Sequence, residues 1–298
     1  MRVNILRVLG FSLVLFAPVA PSWAVVTTVD DTGAQVTLSR PATRVISLAP
    51  HTTEMLFAVG AGDRVVGVVD YSDYPPEAAQ LANVGSSSRL DFERIVSLKP
   101  DLIVIWADGT PSAAQAKLRQ LGFPIYVSEP RTLEKIALNM ERLARLTATE
   151  QVGDEAAKRL REGMAALEAR YSKRPTVSVF YQIWDRPMTT IAGDQLLGKV
   201  ISLCGGRNVF GRLKSVAPQV DVEAVLAADP DVITTAGGPL YSPLWITSWQ
   251  RWTQLKAVRT KNVVSVNADL TQRQGPRILL GAMELCEALD RARGQNEK

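Results

Sequence analysis

One short pattern occurs twice in this chain, and it constrains the fold more than any other feature. Residues 91–103 (Asp-Phe-Glu-Arg-Ile-Val-Ser-Leu-Lys-Pro-Asp-Leu-Ile) match residues 221–233 (Asp-Val-Glu-Ala-Val-Leu-Ala-Ala-Asp-Pro-Asp-Val-Ile). In each copy an Asp is placed to cap a short helix, a Pro to end it, and an apolar strand follows. We interpret the repeat as an internal duplication, which predicts two similar lobes with a cleft between them.

Short β-branched runs alternate with amphipathic stretches in both halves, which predicts an α/β fold with mainly parallel sheets. The predicted strands are 44–48, 65–69, 102–106 and 124–127 in the first half, and 176–180, 188–191, 232–235 and 262–266 in the second. Residues 25–38 read as a β-hairpin, with Asp31-Thr-Gly33 between two alternating runs.

The two halves are separated by a segment without proline, between Arg131 and Arg174. Thr147 and Glu150 are spaced as a capping box at the start of its helical pattern. Apolar residues then recur at helical spacing, namely Val152, Ala156, Leu160, Met164, Leu167 and Tyr171. The segment therefore predicts one long helix between the lobes.

The first residues have the pattern of a secretory signal peptide, because Arg2 and Arg7 precede an apolar run from Val8 to Ala20. The run is shorter than the roughly 20 residues that a membrane-spanning helix needs. Cleavage near Ala24 predicts a mature protein in a Gram-negative periplasm. Loss of the two arginines takes the formal charge from +4 to +2, which leaves no strongly basic surface for nucleic acid.

These features divide the chain into four predicted parts. Residues 1–24 are the signal peptide, 25–148 an N-terminal α/β lobe, 149–173 the helix between the lobes, and 174–298 a C-terminal α/β lobe. About 274 residues in the mature chain are enough for two lobes that each bury a core of their own.

Cys204 and Cys286 are the only cysteines. In an oxidising compartment they favour a disulfide that closes a long loop, worth roughly 4 kcal/mol in the chain-entropy model. The alternative is two buried thiols, because both cysteines lie in apolar helical contexts. Neither belongs to a Cys-x-x-Cys pair, which argues against redox catalysis.

Enzyme motifs are scarce. His51 is the only histidine, so a zinc site made of several histidines is excluded and any His-based triad must contain His51. The sequence has no Gly-x-Ser-x-Gly elbow and no His-Glu-x-x-His helix. Gly60-Ala-Gly62 lacks the third glycine of a dinucleotide fingerprint. We therefore predict a protein that is not an enzyme, with no catalytic cofactor and no metal-ligating residues.

Aromatic and polar residues are concentrated instead after the predicted strands, where open parallel sheets bind ligands. They include His51, Tyr71, Trp106, Trp184, Asp269 and Arg273. Each alone also fits a residue that packs over a strand end. Their concentration predicts a ligand site in the cleft.

Segments from both halves resemble periplasmic cobalamin-binding proteins. They are 44–54 (Arg-Val-Ile-Ser-Leu-Ala-Pro-His-Thr-Thr-Glu), 71–76 (Tyr-Ser-Asp-Tyr-Pro-Pro), 93–102, 203–210, 218–220 and 275–278, so the resemblance covers nearly the whole mature chain. It implies a fold in which a long helix limits lobe closure to small movements. It also implies a monomer that delivers cobalamin or a related corrinoid to an ABC permease dimer with ATPase subunits in the inner membrane.

The resemblance also implies roles for individual residues. Tyr71, Trp106, Asp269 and Arg273 match ligand contacts, Glu93 and Glu223 match carboxylates that dock on the permease, and Cys204 and Cys286 match the disulfide of the family. For the two glutamates the alternative is structural, because a carboxylate near a helix N-terminus interacts favourably with the helix dipole.

The chain departs from the family at two pocket tryptophans, where it has Ser87 and Ala217. Trp184 is expected to compensate in part, and His51 is an added residue whose imidazole could approach a bound metal. The alternative for His51 is a solvated loop histidine. Because His51 and Tyr71 are candidate axial ligands of haem, a haem or ferric-siderophore carrier is the alternative ligand class. A periplasmic enzyme is the remote third hypothesis.

Overall fold

The computed structural model describes residues 25–86, 88–238 and 244–296, and it has two lobes, each built on a parallel sheet. The strands in these residues are β1 Val26–Val29, β2 Gln35–Leu38, β3 Val45–Ser47, β4 Val65–Val68, β5 Ala82–Asn83, β6 Gly85–Ser86, β7 Arg89–Leu90, β8 Leu102–Trp106, β9 Ile125–Ser128, β10 Val177–Gln182, β11 Gly206–Asn208, β12 Val232–Gly237 and β13 Val263–Asn267.

The helices lie on both faces of these sheets. They are α1 Pro50–Ala58, α2 Phe92–Ser97, α3 Ser112–Gln120, α4 Leu133–Leu146, α5 Glu150–Tyr171, α6 Leu196–Leu203, α7 Val222–Ala228, α8 Leu244–Trp249, α9 Lys256–Arg259, α10 Ala268–Thr271 and α11 Ile278–Asn296.

The N-terminal sheet has the order β5-β4-β3-β8-β9, and the C-terminal sheet has the order β11-β10-β12-β13. All pairs in the two sheets are parallel. The predicted fold class is therefore confirmed. The predicted hairpin is also present, since β1 pairs with β2 in antiparallel register.

The repeated pattern forms equivalent helices in the two lobes. Asp91 caps α2 by accepting a hydrogen bond from the backbone N–H of Arg94 at 2.9 Å. Asp221 caps α7 in the same way, from Ala224 at 2.7 Å. These side chains satisfy N–H groups that the first helical turn leaves without a partner.

The Asp that follows the Pro in each copy anchors a neighbouring strand. Asp101 accepts hydrogen bonds from the backbone N–H groups of Thr43 and Arg44, each at 2.9 Å, just before β3. Asp231 accepts one from the backbone N–H of Ser178 at 2.7 Å in β10. The repeat thus fixes both a helix start and a strand start in each lobe.

The long helix α5 is in close contact with both lobes through two glycines. A Cβ on Gly153 would lie 2.2 Å from the Cβ of Ala144 in α4, and a Cβ on Gly163 would lie 2.5 Å from Leu279 in α11. A larger residue at position 153 would clash with Ala144, and one at position 163 would force the side chain of Leu279 to move. The absence of a side chain at these two positions lets α5 pack closely against the two lobes.

The start of α5 differs from the predicted capping box. The hydroxyl of Thr147 donates to the carbonyl of Leu143 at 2.7 Å, so it ends α4. Thr149 is the N-cap residue of α5 and makes no side-chain cap bond. The sequence pattern did not reveal that the proline-free segment contains two helices, because α4 and α5 are joined by a turn that contains no glycine or proline.

The strand predicted at 188–191 is wrong. Thr189 instead forms isolated bridges with Trp184 and Gln219. The backbone N–H of Thr189 donates to the carbonyl of Trp184 at 3.0 Å, so the chain turns back on itself after β10. Pro187 has no N–H to donate to a ladder, which favours a turn over a strand.

The predicted disulfide is confirmed. Cys204 ends α6 and is bonded to Cys286 in α11. Both residues are completely buried in the core cluster that the C-terminal sheet shares with α5 and α11. The bond therefore joins two helices on the same side of the C-terminal lobe.

Two features are absent from the described ranges (25–86, 88–238 and 244–296). No helix there is long and apolar enough to cross a membrane. No group of three or more His, Cys, Asp or Glu side chains there is arranged to hold a metal ion. The predicted signal peptide, 1–24, lies outside these residues.

Candidate functional site

Two arginines of the C-terminal lobe bind one buried carboxylate of the N-terminal lobe. The side chain of Glu54, in α1, is only 1% exposed. Its Oε1 accepts a hydrogen bond from Nη1 of Arg273 at 3.1 Å, and its Oε2 accepts one from Nε of Arg277 at 2.9 Å. The guanidinium of Arg277 also stacks on the ring of Tyr74, 3.9 Å from the centroid. The lobes are therefore joined by charge-assisted hydrogen bonds.

Arg273 binds two further carboxylates. Its Nη1 lies 2.7 Å from Asp73 in the N-terminal lobe, and its Nη2 lies 3.0 Å from Asp269, one helical turn earlier in its own lobe. Burial raises the pKa of Asp73, but the hydrogen bond and charge of Arg273 outweigh it and lower that pKa. We call Glu54, Asp73, Asp269, Arg273 and Arg277 the interlobe ion cluster.

Buried hydroxyls fix the N-terminal side of this cluster. The hydroxyl of Thr53 donates to Ser47 at 2.8 Å and lies 3.2 Å from the hydroxyl of Ser72. Ser47 is the last residue of β3, Thr53 lies in the first turns of α1, and Ser72 lies in the loop after β4. The hydrogen bonds hold that loop, with Asp73, against the helix that carries Glu54.

Trp106 and His51 form a second part of the site. Trp106 is the last residue of β8, and its ring packs so closely on Gly109 that a Cβ there would lie 1.9 Å from the indole. His51 follows β3, at the start of α1. The two rings meet edge to face at 5.6 Å between centroids.

His51 is buried, with 5% of its surface exposed, and its Nε2 has no hydrogen-bond partner in the described residues. Burial, assisted by the charge of Arg273, lowers the pKa of His51 to about 3. The imidazole is therefore neutral at neutral pH. Gly275 of the C-terminal lobe covers it, since a Cβ on Gly275 would lie 3.6 Å from the Cβ of His51.

Tyr71, in the loop after β4, points into solvent with 63% of its surface exposed. Its φ of 63° is in the left-handed region, which costs a residue with a Cβ about 1–2 kcal/mol. Such strain is common at binding sites. The same loop carries Asp73, so Tyr71 lies close in the chain to the partner of Arg273.

Trp184 lies on the C-terminal lobe, after β10, and is 49% exposed. Its ring meets Trp245 edge to face at 5.7 Å between centroids. Of the two departures from the family pattern, Ala217 is exposed, and Ser87 lies outside the described residues. Trp184 therefore offers an aromatic edge on the lobe that has lost one tryptophan.

The structure thus brings the predicted site residues into two groups. His51, Trp106, Asp269 and Arg273 lie at or beside the contact between the lobes, whereas Tyr71 and Trp184 stand on opposite lobes with large exposed surfaces. We call Tyr71 and Trp184 the exposed aromatic pair.

Glu93 and Glu223 lie in the first turns of the equivalent helices α2 and α7. Both side chains are exposed, and neither makes a salt bridge within the described ranges. The duplication therefore presents one unpaired carboxylate on each lobe.

Glu54 and Arg277 were not predicted from the sequence, although both lie in segments that resemble the family. The sequence signal for them is Gly275, because a glycine after the last strand of a sheet is typical of a place where another group approaches the backbone closely. A Cβ on Gly275 would lie 3.2 Å from Oε2 of Glu54.

Comparison with known proteins identifies the family. Residues 45–270 match the model of the periplasmic binding protein family, and the chain belongs to it. Vitamin B12-binding protein from Vibrio cholerae is 41% identical over 255 residues, which cover 86% of this chain and 92% of that protein. Its counterpart in Photorhabdus laumondii is 38% identical over 247 residues, covering 83% and 88%.

Solved structures agree. The periplasmic vitamin B12 binding protein BtuF of Vibrio cholerae is similar with a TM-score of 0.78 and 41% identity, over 85% of this chain and 98% of that one. The periplasmic heme-binding protein RhuT from Roseiflexus sp. RS-1 is similar with a TM-score of 0.74 and 26% identity, over 84% and 99%.

Proposed function

We propose that this chain is a periplasmic solute-binding protein that carries cobalamin or a related corrinoid to an ABC permease in the inner membrane. The observation that carries the proposal is the grouping of aromatic and polar side chains beside the interlobe ion cluster. A corrin is a large, stiff ring with apolar faces and peripheral amides. Aromatic rings suit its faces, and Arg273 and Asp269 suit its amides. The 41% identity to proteins named for vitamin B12 binding supports the same ligand.

The ligand contacts that we propose are Tyr71, Trp106, Asp269, Arg273, His51 and Trp184. The first and last stand on opposite lobes with exposed rings, so a ring system between the lobes would meet an aromatic side chain on each side. A largely preformed cleft loses little ordering entropy when it binds a stiff ligand.

Calorimetric titration of the purified mature protein with cyanocobalamin, dicyanocobinamide and haemin tests the ligand. We expect cyanocobalamin to bind in a one-to-one complex and haemin to bind more weakly. If neither corrinoid gives a heat of binding, the proposed ligand is wrong.

A haem carrier is the second candidate, and His51 is the observation that favours it. Its neutral imidazole has an unpaired Nε2, and neutral imidazole is a common metal ligand. Tight haemin binding, with a Soret shift that is lost in His51→Ala or Tyr71→Ala and with no corrinoid signal, would move the assignment to haem.

For the permease, we propose that Glu93 and Glu223 dock on basic residues of its two subunits. The proposal is supported by their exposure, their lack of partners in the described residues and their equivalent positions in the duplicated helices. Two exposed carboxylates on two similar lobes suit a partner that is itself a dimer. We propose that the carrier itself is a monomer.

The double variant Glu93→Ala with Glu223→Ala tests the docking sites. We expect it to abolish corrinoid uptake in cells while ligand affinity in solution stays within about twofold, because exposed rim charges act mainly on the encounter between partners. Glu77→Ala with Glu287→Ala is the matched control, since both are exposed glutamates on the two lobes. Normal uptake by the first variant would show that its carboxylates only serve the helix ends.

We propose finally that residues 1–24 are removed on export. Intact-mass measurement of protein from the periplasmic fraction should then find Val25 at the N-terminus. A mature chain that keeps Met1, or that stays in the cytoplasm, would contradict this assignment.

A further inference from the structure

We propose that Glu54 is a positioning residue, which sets the guanidinium of Arg273 for the ligand and holds the two lobes at a fixed separation. This inference rests on the proposed function for the ligand, but its structural part does not. Glu54 touches no exposed surface, so it acts through the arginines that it binds.

Glu54 links the lobes through buried ion pairs. Its side chain is 1% exposed, and both of its arginine partners come from the opposite lobe. A buried carboxylate without its partners is strongly disfavoured, since water cannot replace them. Moving the lobes apart at this edge would expose or unpair Glu54, so its carboxylate favours the separation seen here.

Arg273 is held between three carboxylates, of which Glu54 is the buried one. Glu54 draws it inward, whereas Asp73, 56% exposed, draws it toward solvent. Asp269 holds it from its own lobe at 3.0 Å. If Glu54 loses its charge, Asp73 and Asp269 alone bind Arg273. The guanidinium then turns toward the exposed side and away from Glu54.

Arg277 completes the arrangement. Within the described ranges Glu54 is its only carboxylate partner, and the ring of Tyr74 covers its other face. Arg273 divides its positive charge among Glu54, Asp73 and Asp269, so Arg277 supplies the rest of the charge that neutralises Glu54. Because Glu54 has two arginine partners, it holds Arg273 less tightly than it would if Arg273 were its only partner.

A double-mutant cycle on ligand affinity tests the role through Arg273. The variants are Glu54→Gln, Arg273→Gln and the double variant, titrated with cyanocobalamin. We expect Glu54→Gln alone to weaken binding at least about tenfold, as removing one partner of a buried charge pair does. In the Arg273→Gln background the same change should alter affinity less than about twofold, because the group that Glu54 positions is gone. Glu77→Gln, an exposed glutamate nearby, is the control for loss of charge.

Hydrogen exchange of the ligand-free protein tests the hold between the lobes independently of the ligand. We expect faster exchange in residues 272–277 of Glu54→Gln than in wild type or Glu77→Gln. If Glu54→Gln does not fold, Glu54→Asp keeps the charge and moves the carboxylate, and the same cycle applies with a smaller loss.

Wild-type affinity in Glu54→Gln, or equal losses in both backgrounds, would overturn the positioning role. Unchanged exchange would overturn the hold between the lobes. If the wild type binds no corrinoid at all, the proposed ligand fails, while the exchange experiment still decides whether Glu54 joins the lobes.

Discussion

The residues of the interlobe ion cluster and of the exposed aromatic pair all follow the carboxyl ends of parallel strands. The two groups differ in how completely their side chains are paired and buried. Every charged side chain of the cluster already has a partner, and Glu54 and Arg273 are almost fully enclosed. Tyr71 and Trp184 each leave about half or more of their surface in solvent. The cluster is thus complete within the described residues, whereas the aromatic pair has exposed surface that a ligand could cover.

The difference separates two tasks of a carrier. In the proposed function the cluster would set the distance between the lobes before a ligand binds, which lowers the ordering cost of binding. The aromatic pair would supply apolar area whose burial favours the complex. His51 and Trp106 are less exposed than Tyr71 and Trp184, so in burial they resemble the interlobe ion cluster.

The largest effect that we expect tests whether His51 belongs to the dry interior. Its pKa is lowered to about 3 by burial and Arg273, against 6.5 in the unfolded chain. Between these values the unfolded chain binds a proton that the native state does not, so stability falls as pH falls, by about 1.4 kcal/mol per pH unit. Above pH 6.5 this contribution is fully present.

Denaturant unfolding of wild type and His51→Gln from pH 7.5 to pH 5 measures this contribution. The stability difference between wild type and variant should shrink or reverse toward low pH, because all other titrating groups are shared. If the free energies of unfolding of wild type and variant change in parallel with pH, His51 is accessible to water. It would then belong with the exposed aromatic pair.

Next in size is Trp106→Ala. Truncating a partly buried aromatic anchor weakens binding by on the order of 1–3 kcal/mol. Titration with cyanocobalamin should show this loss, and Trp106→Phe, which keeps a ring against His51, should recover most of it. A loss no larger than that of Tyr71→Ala would contradict the view that burial separates the two regions.

Some of these features could be predicted from the sequence, and others could not. The duplication and the parallel sheets follow from patterns within short segments, such as the two copies of Asp-x-Glu. The disulfide was favoured by the oxidising compartment and by the presence of two cysteines. The strand predicted at 188–191 is absent because the chain turns back after Trp184. The composition of these residues did not reveal that turn.

Glu54 was beyond the sequence for a different reason. It sits in α1 between residues that pack in the core, and its two partners are more than two hundred positions away in the chain. A charged residue inside an apolar helix signals that a partner exists, but only the folded chain shows that both partners come from the other lobe. His51 and Arg273 could be proposed earlier because they follow strands of parallel sheets.

The smallest effect concerns Tyr71, whose φ of 63° and exposure suit a residue placed for a ligand and not for the fold. Tyr71→Ala should weaken corrinoid binding by about 1 kcal/mol or less, because the cost of ordering an exposed side chain offsets part of the gain from the area that the ligand covers. Tyr71→Gly removes the same ring and also the strain, because glycine adopts positive φ at little cost. We therefore expect the glycine variant to bind as weakly as the alanine variant but to unfold at a higher denaturant concentration. If the alanine variant is the more stable of the two, the left-handed backbone at Tyr71 does not lower the stability of the fold. Tyr71 would then not be strained, and it would not differ in this respect from the interlobe ion cluster.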